Sequence, residues 1–137
     1  MDFSEVLPFL DENHTAVVST VSSSGAAQAT VVSAGPYDGH VAFVSRGTTV
    51  KVRNASRSGR ATVTVLRKAD NRYVTVEGPA TVRGWDNTSR ADLLALLRQV
   101  YIAVGRAPKP GADFDKTMEE EQRTVVLVAP KRIYASL

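Results

Sequence analysis

Cysteine is absent from this chain of 137 residues. Its absence excludes disulfide bonds, thiolate metal sites and cysteine nucleophiles, and it fits a reducing compartment. Histidine is scarce as well, with only His14 and His40 present. Neither lies in an HExxH pattern, and two isolated histidines cannot supply the three or four protein ligands that a metal site usually needs. We therefore expect structural roles for both histidines and no metal site.

Long apolar runs are also missing, since none approaches the roughly 20 residues of a membrane-spanning helix. The first ten residues, MDFSEVLPFL, are acidic rather than basic and do not form a secretory signal. We therefore expect a cytoplasmic protein that makes no membrane contact. The GxSxG elbow and the phosphate-binding P-loop are absent too, which excludes the corresponding hydrolases and nucleotide triphosphatases.

The composition is that of an ordinary globular domain, with 43% hydrophobic and 23% charged residues. No repeat, low-complexity run or linker interrupts the chain, so residues 1–137 are predicted to form one domain. Alternating, β-branched segments separated by turn residues predict six strands. They are predicted at residues 14–21, 26–35, 40–46, 60–68, 72–84 and 124–130, with 132–137 as a candidate further edge.

Helical periodicity is found between these strands and at the start of the chain. The first helical segment, residues 2–13, contains Pro8, which we expect to kink or shorten the helix. The other helices are predicted at residues 48–59, 87–105 and 114–123.

The order of these elements predicts a mainly β fold with flanking helices. Consecutive strands joined by tight turns favour an antiparallel sheet. Closing five or six such strands into a small barrel removes the exposed sheet edges. The fifth strand contains Gly78-Pro79 in its middle, which predicts a bend that lets one strand serve both sides of the barrel.

A basic segment around the predicted short helix is the main anomaly. It begins with Thr48 and Thr49, either of which can cap the helix. A helix N-terminus presents unpaired N–H groups and partial positive charge, and nearby hydroxyls and cations strengthen its attraction for phosphate. The cations of this segment are Lys51, Arg53, Arg57 and Arg60.

Three interpretations of this basic segment remain open at this point: a solvated helix face, a nucleic-acid patch, and a site for an anionic small molecule or cofactor. The sequence has no RNP-like aromatic residues, no recognition helix and no wider basic tract. These absences count against nucleic acid, and we expect none as a partner.

Short motifs in a fixed order carry a resemblance to a known family. They are Thr20-Val21 at the end of a strand, Gly25 in the following turn, Lys51-Val52-Arg53-Asn54 and Glu77-Gly78-Pro79-Ala80. With these motifs, the chain resembles the split β-barrel flavin and deazaflavin oxidoreductases, often grouped as pyridoxamine phosphate oxidase-like. The similarity covers nearly the whole chain. Its C-terminal layout is similar to the branch that uses the deazaflavin coenzyme F420.

This resemblance implies a split six-stranded antiparallel barrel and a homodimer with two cofactor sites between the subunits. Asn54 would help to fix the short helix, and Arg57 and Arg60 would reach the acidic tail of F420. Tyr73 and Glu77 would come from the partner chain. The phosphate would be held by Lys51 and Arg53 with Thr48, Thr49, Ser45 and Arg46. The strand segment along the deazaflavin ring would be Thr30, Val31, Val32 and Ser33.

The function that the resemblance implies is hydride transfer between reduced F420 and a small conjugated organic substrate. Such chemistry belongs to the cofactor and needs no catalytic triad, in agreement with the lack of an acid–base pair in the motifs. No catalytic residue or proton donor is assigned. The alternatives are an FMN-binding oxidase or reductase, a non-catalytic flavin-binding or haem-binding protein, and a basic surface protein that binds acidic partners.

Overall fold

The computed structural model describes residues 1–137 and contains four helices and seven strands. The predicted order of elements is confirmed, and the candidate C-terminal edge is a seventh strand. None of the helices has the length and apolar character that crossing a bilayer would require. In chain order the elements are α1 (Phe3–Glu12), β1 (Thr15–Val21), β2 (Ala27–Tyr37), β3 (His40–Arg46), α2 (Val50–Ser58), β4 (Arg60–Arg67), β5 (Arg72–Arg83), α3 (Arg90–Ala103), α4 (Ala112–Glu120), β6 (Arg123–Val128) and β7 (Arg132–Ser136).

Six of the strands form a closed antiparallel barrel. The order β4-β1-β2-β3-β6-β5 is closed by pairing between β4 and β5, while β7 pairs with β5 on the outside. Closure leaves β7 as the outer strand of the sheet, as expected for an architecture that limits exposed edges. The predicted mainly β class and split six-stranded barrel are confirmed.

Strand β5 changes partners at the predicted bend. Residues 72–79 pair with β4, and residues 80–83 pair with β6. A Cβ atom on Gly78 would lie 2.0 Å from the carbonyl oxygen of Ala129, far inside van der Waals contact. Glycine at this position therefore allows the connection between β6 and β7 to pass close to the bend.

The barrel interior is filled by alternating inward-facing side chains and is closed at one end by α1. On α1, Val6 and Leu10 are completely buried and Phe9 nearly so. Pro8 was expected to kink or shorten this helix, and the shortening is wrong, because α1 continues past Pro8 to Glu12. Burial of the apolar residues on both sides of Pro8 offsets the backbone hydrogen bond that proline cannot donate.

A second apolar layer lies outside the barrel, where α3 and α4 cover β3 and β6. Ser89 is the N-cap of α3, and its hydroxyl accepts a hydrogen bond from the Asp92 N–H at 3.2 Å. The buried residues of this layer are Ala42, Leu93, Leu94, Leu97, Val100, Val104, Phe114, Met118 and Val125. The layer fixes the C-terminal end of α3 against the barrel.

The contact that brings α3 closest to the sheet is made at Gly35 of β2. A Cβ atom at this position would lie 1.9 Å from the carbonyl oxygen of Ala103, the last residue of α3. Any side chain at residue 35 would push the end of α3 away from the sheet, because the opposing atom belongs to the backbone and cannot rotate aside.

Replacing Gly35 with alanine should therefore destabilise the protein by about 3 kcal/mol, the upper range for overpacking a buried site. Gly84→Ala is the matched control, because its Cβ would meet only flexible side-chain atoms, the nearest being Asp86 Oδ1 at 3.3 Å. We expect a loss below about 1 kcal/mol for the control. Urea denaturation measures both values, and equal losses would contradict the assigned contact.

Candidate cofactor-binding site

Strands β2 and β3 separate at one end, and a cavity of about 200 Å³ opens in the gap. The last paired residues are Ala34 and Phe43. Beyond them, Ala27–Ser33 pairs with β1 alone, so one backbone edge of this segment has no strand partner. The residues of β2 and β3 that line the cavity are Val31, Val32, Ser33, Val44 and Ser45.

The C-terminal end of α3 forms another wall of the cavity. Tyr101 and Val104 line it from this side, and the contact at Gly35 holds that end of the helix beside β2. The gap between β2 and β3 is therefore covered by a helix rather than by another strand.

Three cations complete the lining. Lys51 lies in the first turn of α2, Arg106 follows α3, and Arg123 is the first residue of β6. Arg123 forms an ion pair with Glu121 at 3.3 Å, whereas Lys51 and Arg106 form no salt bridge. Arg106 instead donates a hydrogen bond to Ser33 Oγ at 3.3 Å. Positive charge therefore exceeds negative charge around the cavity.

Partial burial, and secondarily the charge of Arg123, lower the pKa of Lys51 below the usual lysine value. Both causes disfavour the ammonium ion, and no carboxylate of the chain compensates them. An unpaired, partly desolvated cation in a cavity indicates a binding site for an anion, because a bound anion would relieve both penalties.

The N-terminus of α2 has no side-chain cap. Thr49 occupies the N-cap position, as predicted, but its hydroxyl donates to the carbonyl oxygen of Arg46 at 2.9 Å and lies 3.1 Å from the Ser45 hydroxyl. No side chain accepts a hydrogen bond from the first-turn N–H groups of α2. These groups can therefore bind an anion, in line with the anion affinity of free helix N-termini.

The structure brings five of the sequence-predicted site residues together around this cavity. Thr49 lies directly behind them through its contact with Ser45. The five residues that line the cavity are Val31, Val32, Ser33, Ser45 and Lys51.

Other predicted residues lie beside the cavity without lining it. Arg46 is largely exposed and forms an ion pair with Glu121 at 3.4 Å. Thr48 lines a separate cavity on the other side of α2, together with Trp85. The hydroxyl of Thr30 is buried and makes no hydrogen bond to the chain.

The other cations of the basic segment do not line the cavity. Arg53 is exposed and lies two positions after Lys51, so its side chain leaves the helix from nearly the opposite face. Arg57 donates a hydrogen bond to the carbonyl oxygen of Val21. Arg60, the first residue of β4, lines a separate cavity elsewhere on the barrel, together with Glu77. The basic segment thus separates into one cavity residue and several surface cations.

Two of the sequence motifs have structural roles. Asn54 is buried and donates to the Thr20 hydroxyl at 3.2 Å, and that hydroxyl donates to Gln28 Oε1 at 3.3 Å. This network ties α2 to β1 and β2, as expected for a residue that fixes the short helix. It also sets the position of Lys51, which lies one turn earlier on the same helix.

Both histidines make hydrogen bonds to backbone carbonyl oxygens away from the cavity lining. His14 Nδ1 donates to Ala34 O at 2.9 Å, and His40 Nδ1 donates to Asp38 O at 2.7 Å. A carbonyl oxygen can only accept, so Nδ1 carries the proton in both rings.

Sequence reasoning missed half of the cavity lining. Arg106 lies between two predicted helices, and Arg123 was predicted as the last residue of the fourth helical segment rather than the start of a strand. The one local sequence signal for Arg106 as a site residue was its position near Pro108 and Lys109, and that signal was weak. The missed lining residues are Val44, Tyr101, Val104, Arg106 and Arg123.

The model of the pyridoxamine 5'-phosphate oxidase family matches residues 3–136. The chain belongs to this family. Membership confirms the resemblance in the sequence and assigns the fold of the family's flavin-binding oxidoreductases. No curated protein matches the sequence closely enough to count as a relative.

Solved structures share the fold at low sequence identity. An F420 reductase superposes with a TM-score of 0.68 at 17% identity over 98% of each chain. The haem storage protein HutZ of Vibrio cholerae has a TM-score of 0.69 at 11% identity, covering 96% of this chain and 92% of its own. An FMN-binding, pyridoxamine 5'-phosphate oxidase-related protein of Nostoc punctiforme has a TM-score of 0.65 at 13% identity, covering 96% and 78%. At such identities the likeness concerns the fold alone.

Lys51→Gln should weaken the binding of inorganic phosphate by about 1.5–3 kcal/mol, the value of a lost charged hydrogen bond. The thermal midpoint of the variant without phosphate should not fall, because the replaced cation has no partner. Arg53→Gln is the matched control, since it removes a cation from the exposed face of the same helix. Calorimetric titration and thermal melts with phosphate measure these effects. Equal weakening in both variants would contradict the assignment of the site to Lys51.

Phosphate affinity should decline with rising pH once Lys51 begins to lose its proton, which occurs below the usual lysine range. Bound phosphate favours the ammonium form, so binding in this window takes up a proton. Without phosphate, the unfolded chain binds the Lys51 proton more tightly than the folded protein does. The free energy of unfolding therefore rises with pH across the same window. Titrations in buffers of different ionisation enthalpy measure the uptake. Lys51→Arg should abolish it, and persistent uptake in that variant would contradict the assignment.

Proposed function

We propose that this protein is an F420-dependent reductase that transfers a hydride from the reduced deazaflavin to a small conjugated organic acceptor. The observation that carries the proposal is the cation-lined cavity in the β2–β3 split, which has no carboxylate–histidine pair beside it. A site of this kind suits a reaction in which the cofactor supplies the reactive atoms and the protein supplies binding and orientation.

The anionic part of the cofactor would be held by the cations of the cavity. Lys51 and Arg106 have no carboxylate partner, and the first-turn N–H groups of α2 have no side-chain acceptor. Lysine offers a point charge and arginine a planar fork of donors, and both suit phosphate oxygens. The residues present therefore fit a phosphate-bearing cofactor.

The ring of the cofactor would lie along β2. Val31 has 73% of its surface exposed, an unusual value for a valine in the middle of a strand. The neighbouring backbone edge of Ala27–Ser33 has no strand partner on the side of the gap. Together they offer a flat apolar surface beside free N–H and C=O groups, which suits a ring with an apolar face and a polar rim.

A second copy of the chain would complete the site. The cavity of one chain, about 200 Å³, is smaller than the roughly 300–1,000 Å³ of most ligand pockets. Val31 and Ile102 are both largely exposed on the elements that line it. Covering them with a partner would bury the ring and the exposed apolar surface together. Tyr73 and Glu77 lie on β5 away from this cavity, so they would reach it only from a partner chain.

The alternative with a specific observation behind it is FMN. The same cations would hold its phosphate, and the Nostoc punctiforme relative is an FMN-binding protein. F420 is favoured because the segment before α2 reads RGTTVK rather than the more arginine-rich strand typical of FMN-using relatives. Haem binding, suggested by the Vibrio cholerae relative, is less favoured because neither histidine lines the cavity.

Side-by-side titration with F420 and FMN tests the proposal. We expect saturable quenching of F420 fluorescence, weaker binding of FMN, and oxidation of reduced F420 in the presence of enones or quinones. Lys51→Ala should weaken F420 binding by about 1.5–3 kcal/mol, whereas Arg53→Ala should leave it nearly unchanged. Light scattering of the same samples should give twice the chain mass of 14.7 kDa. A yellow protein that holds FMN and ignores F420 would establish the alternative instead.

A further inference from the structure

A second cavity, of about 250 Å³, adjoins the first on the other side of Tyr101. It lies between the C-terminal end of α3, the loop of residues 105–111 and helix α4. Tyr101 lines both cavities, so its side chain belongs to the wall that separates them.

Two further pairs of residues define the same partition. Arg106 lines the first cavity and the next residue, Ala107, lines the second. Arg123 lines the first and Glu121 the second, and these two side chains form an ion pair at 3.3 Å. The two cavities are therefore neighbours, separated by the Tyr101 side chain, the Arg123–Glu121 ion pair and the backbone at residues 106–107.

The second cavity is mainly apolar and aromatic. Tyr101 and Phe114 meet edge to face with ring centroids 5.1 Å apart, and Met118 lies beside them. Aromatic edges and a thioether favour flat, polarizable rings. The first cavity differs in its charges, because its three charged lining residues are all cations.

The charges on the second cavity cancel. Lys109 and Asp113 line it, and neither forms a salt bridge, so the lining carries one unpaired cation and one unpaired anion. Glu121 is compensated by Arg46 and Arg123. An ionised ligand attracted by one of these two charges would be repelled by the other. The lining therefore favours an uncharged ligand.

Arg98 holds the second cavity in shape. Its guanidinium donates to the carbonyl oxygens of Lys109 at 3.0 Å and Gly111 at 2.8 Å, and to Asp115 at 3.0 Å. It also lies 4.5 Å from the centroid of the Phe114 ring. One side chain thus fixes both the loop and helix α4, so a ligand would enter a preformed site and lose less free energy to ordering.

We propose that the second cavity is the substrate subsite of the same centre and that it holds the body of an uncharged, planar, conjugated acceptor. This inference rests on the proposed function. The acceptor's reacting end lies against Tyr101, the residue that borders both cavities, so the size of the Tyr101 side chain limits how close an acceptor comes to the cofactor.

The test uses the two methionines of the chain as reporters. Met118 lines the second cavity, whereas Met1 is 59% exposed at the N-terminus and serves as the internal control. The protein, labelled with ¹³C at the methionine methyl groups and without cofactor, is titrated with 2-methyl-1,4-naphthoquinone and, separately, with naphthalene-2-sulfonate. We expect a saturable shift of the Met118 signal with the quinone, a much weaker response to the sulfonate, and no shift of Met1.

Ala107→Trp should fill the cavity and abolish the Met118 shift. Ala91→Trp, at an exposed alanine near the other end of α3, should retain it. An unmoved Met118 signal in the wild type, or equal binding of the sulfonate, would overturn the proposal.

Because this readout needs no cofactor, it separates the subsite from the proposed function. If wild-type protein fails to bind F420 while Met118 still responds to the quinone, the reductase assignment falls and the cavity remains a site for planar uncharged molecules. If F420 binds and the quinone is reduced, Ala107→Trp should raise the quinone KM and leave F420 affinity unchanged. An unchanged KM would overturn the subsite.

Discussion

The structure depends on the separation of β2 from β3 beyond the Ala34–Phe43 pair. A strand can pair on both edges only while both neighbouring strands lie beside it. Here β1 stays paired with β2, while β3 pairs with β6 alone from Val44 to Arg46. The backbone edge of Ala27–Ser33 is left open inside a barrel that is otherwise closed. Three features of the candidate site follow from this opening: the exposed valine, the free backbone groups and the space that α3 covers.

An open strand edge and a group of unpaired cations both reduce stability, and this protein has them in the same place. Unpaired edges invite pairing with other chains, and a partly buried ammonium group is disfavoured without a counter-charge. The end of α3, held against β2 at Gly35, partly covers the opening. Lys51 and Arg106 have no carboxylate partner within one chain, which is expected where an anionic ligand supplies the missing charge.

Most of the fold could be predicted because its signals are local. Alternation of β-branched residues, turn residues and the Gly78-Pro79 bend depend on neighbours in sequence, and the elements they predicted are present. The predicted shortening at Pro8 was wrong because it considered the helix alone, while burial of Phe9 and Leu10 against the barrel lets the helix continue to Glu12. The resemblance implied that Asn54 helps to fix the short helix, and the structure gives it a buried hydrogen bond to Thr20 on β1.

The sequence by itself determined the class of fold, the family and the presence of a cation-rich helix start, because strand periodicity and motif order are encoded along the chain. Only the tertiary structure decided which cations share a cavity. Lys51 and Arg53 are nearly adjacent in sequence, yet helix geometry sends them to different faces. Arg106 and Arg123 join Lys51 from distant segments, because antiparallel pairing and the packing of α3 bring the ends of separate elements to one gap.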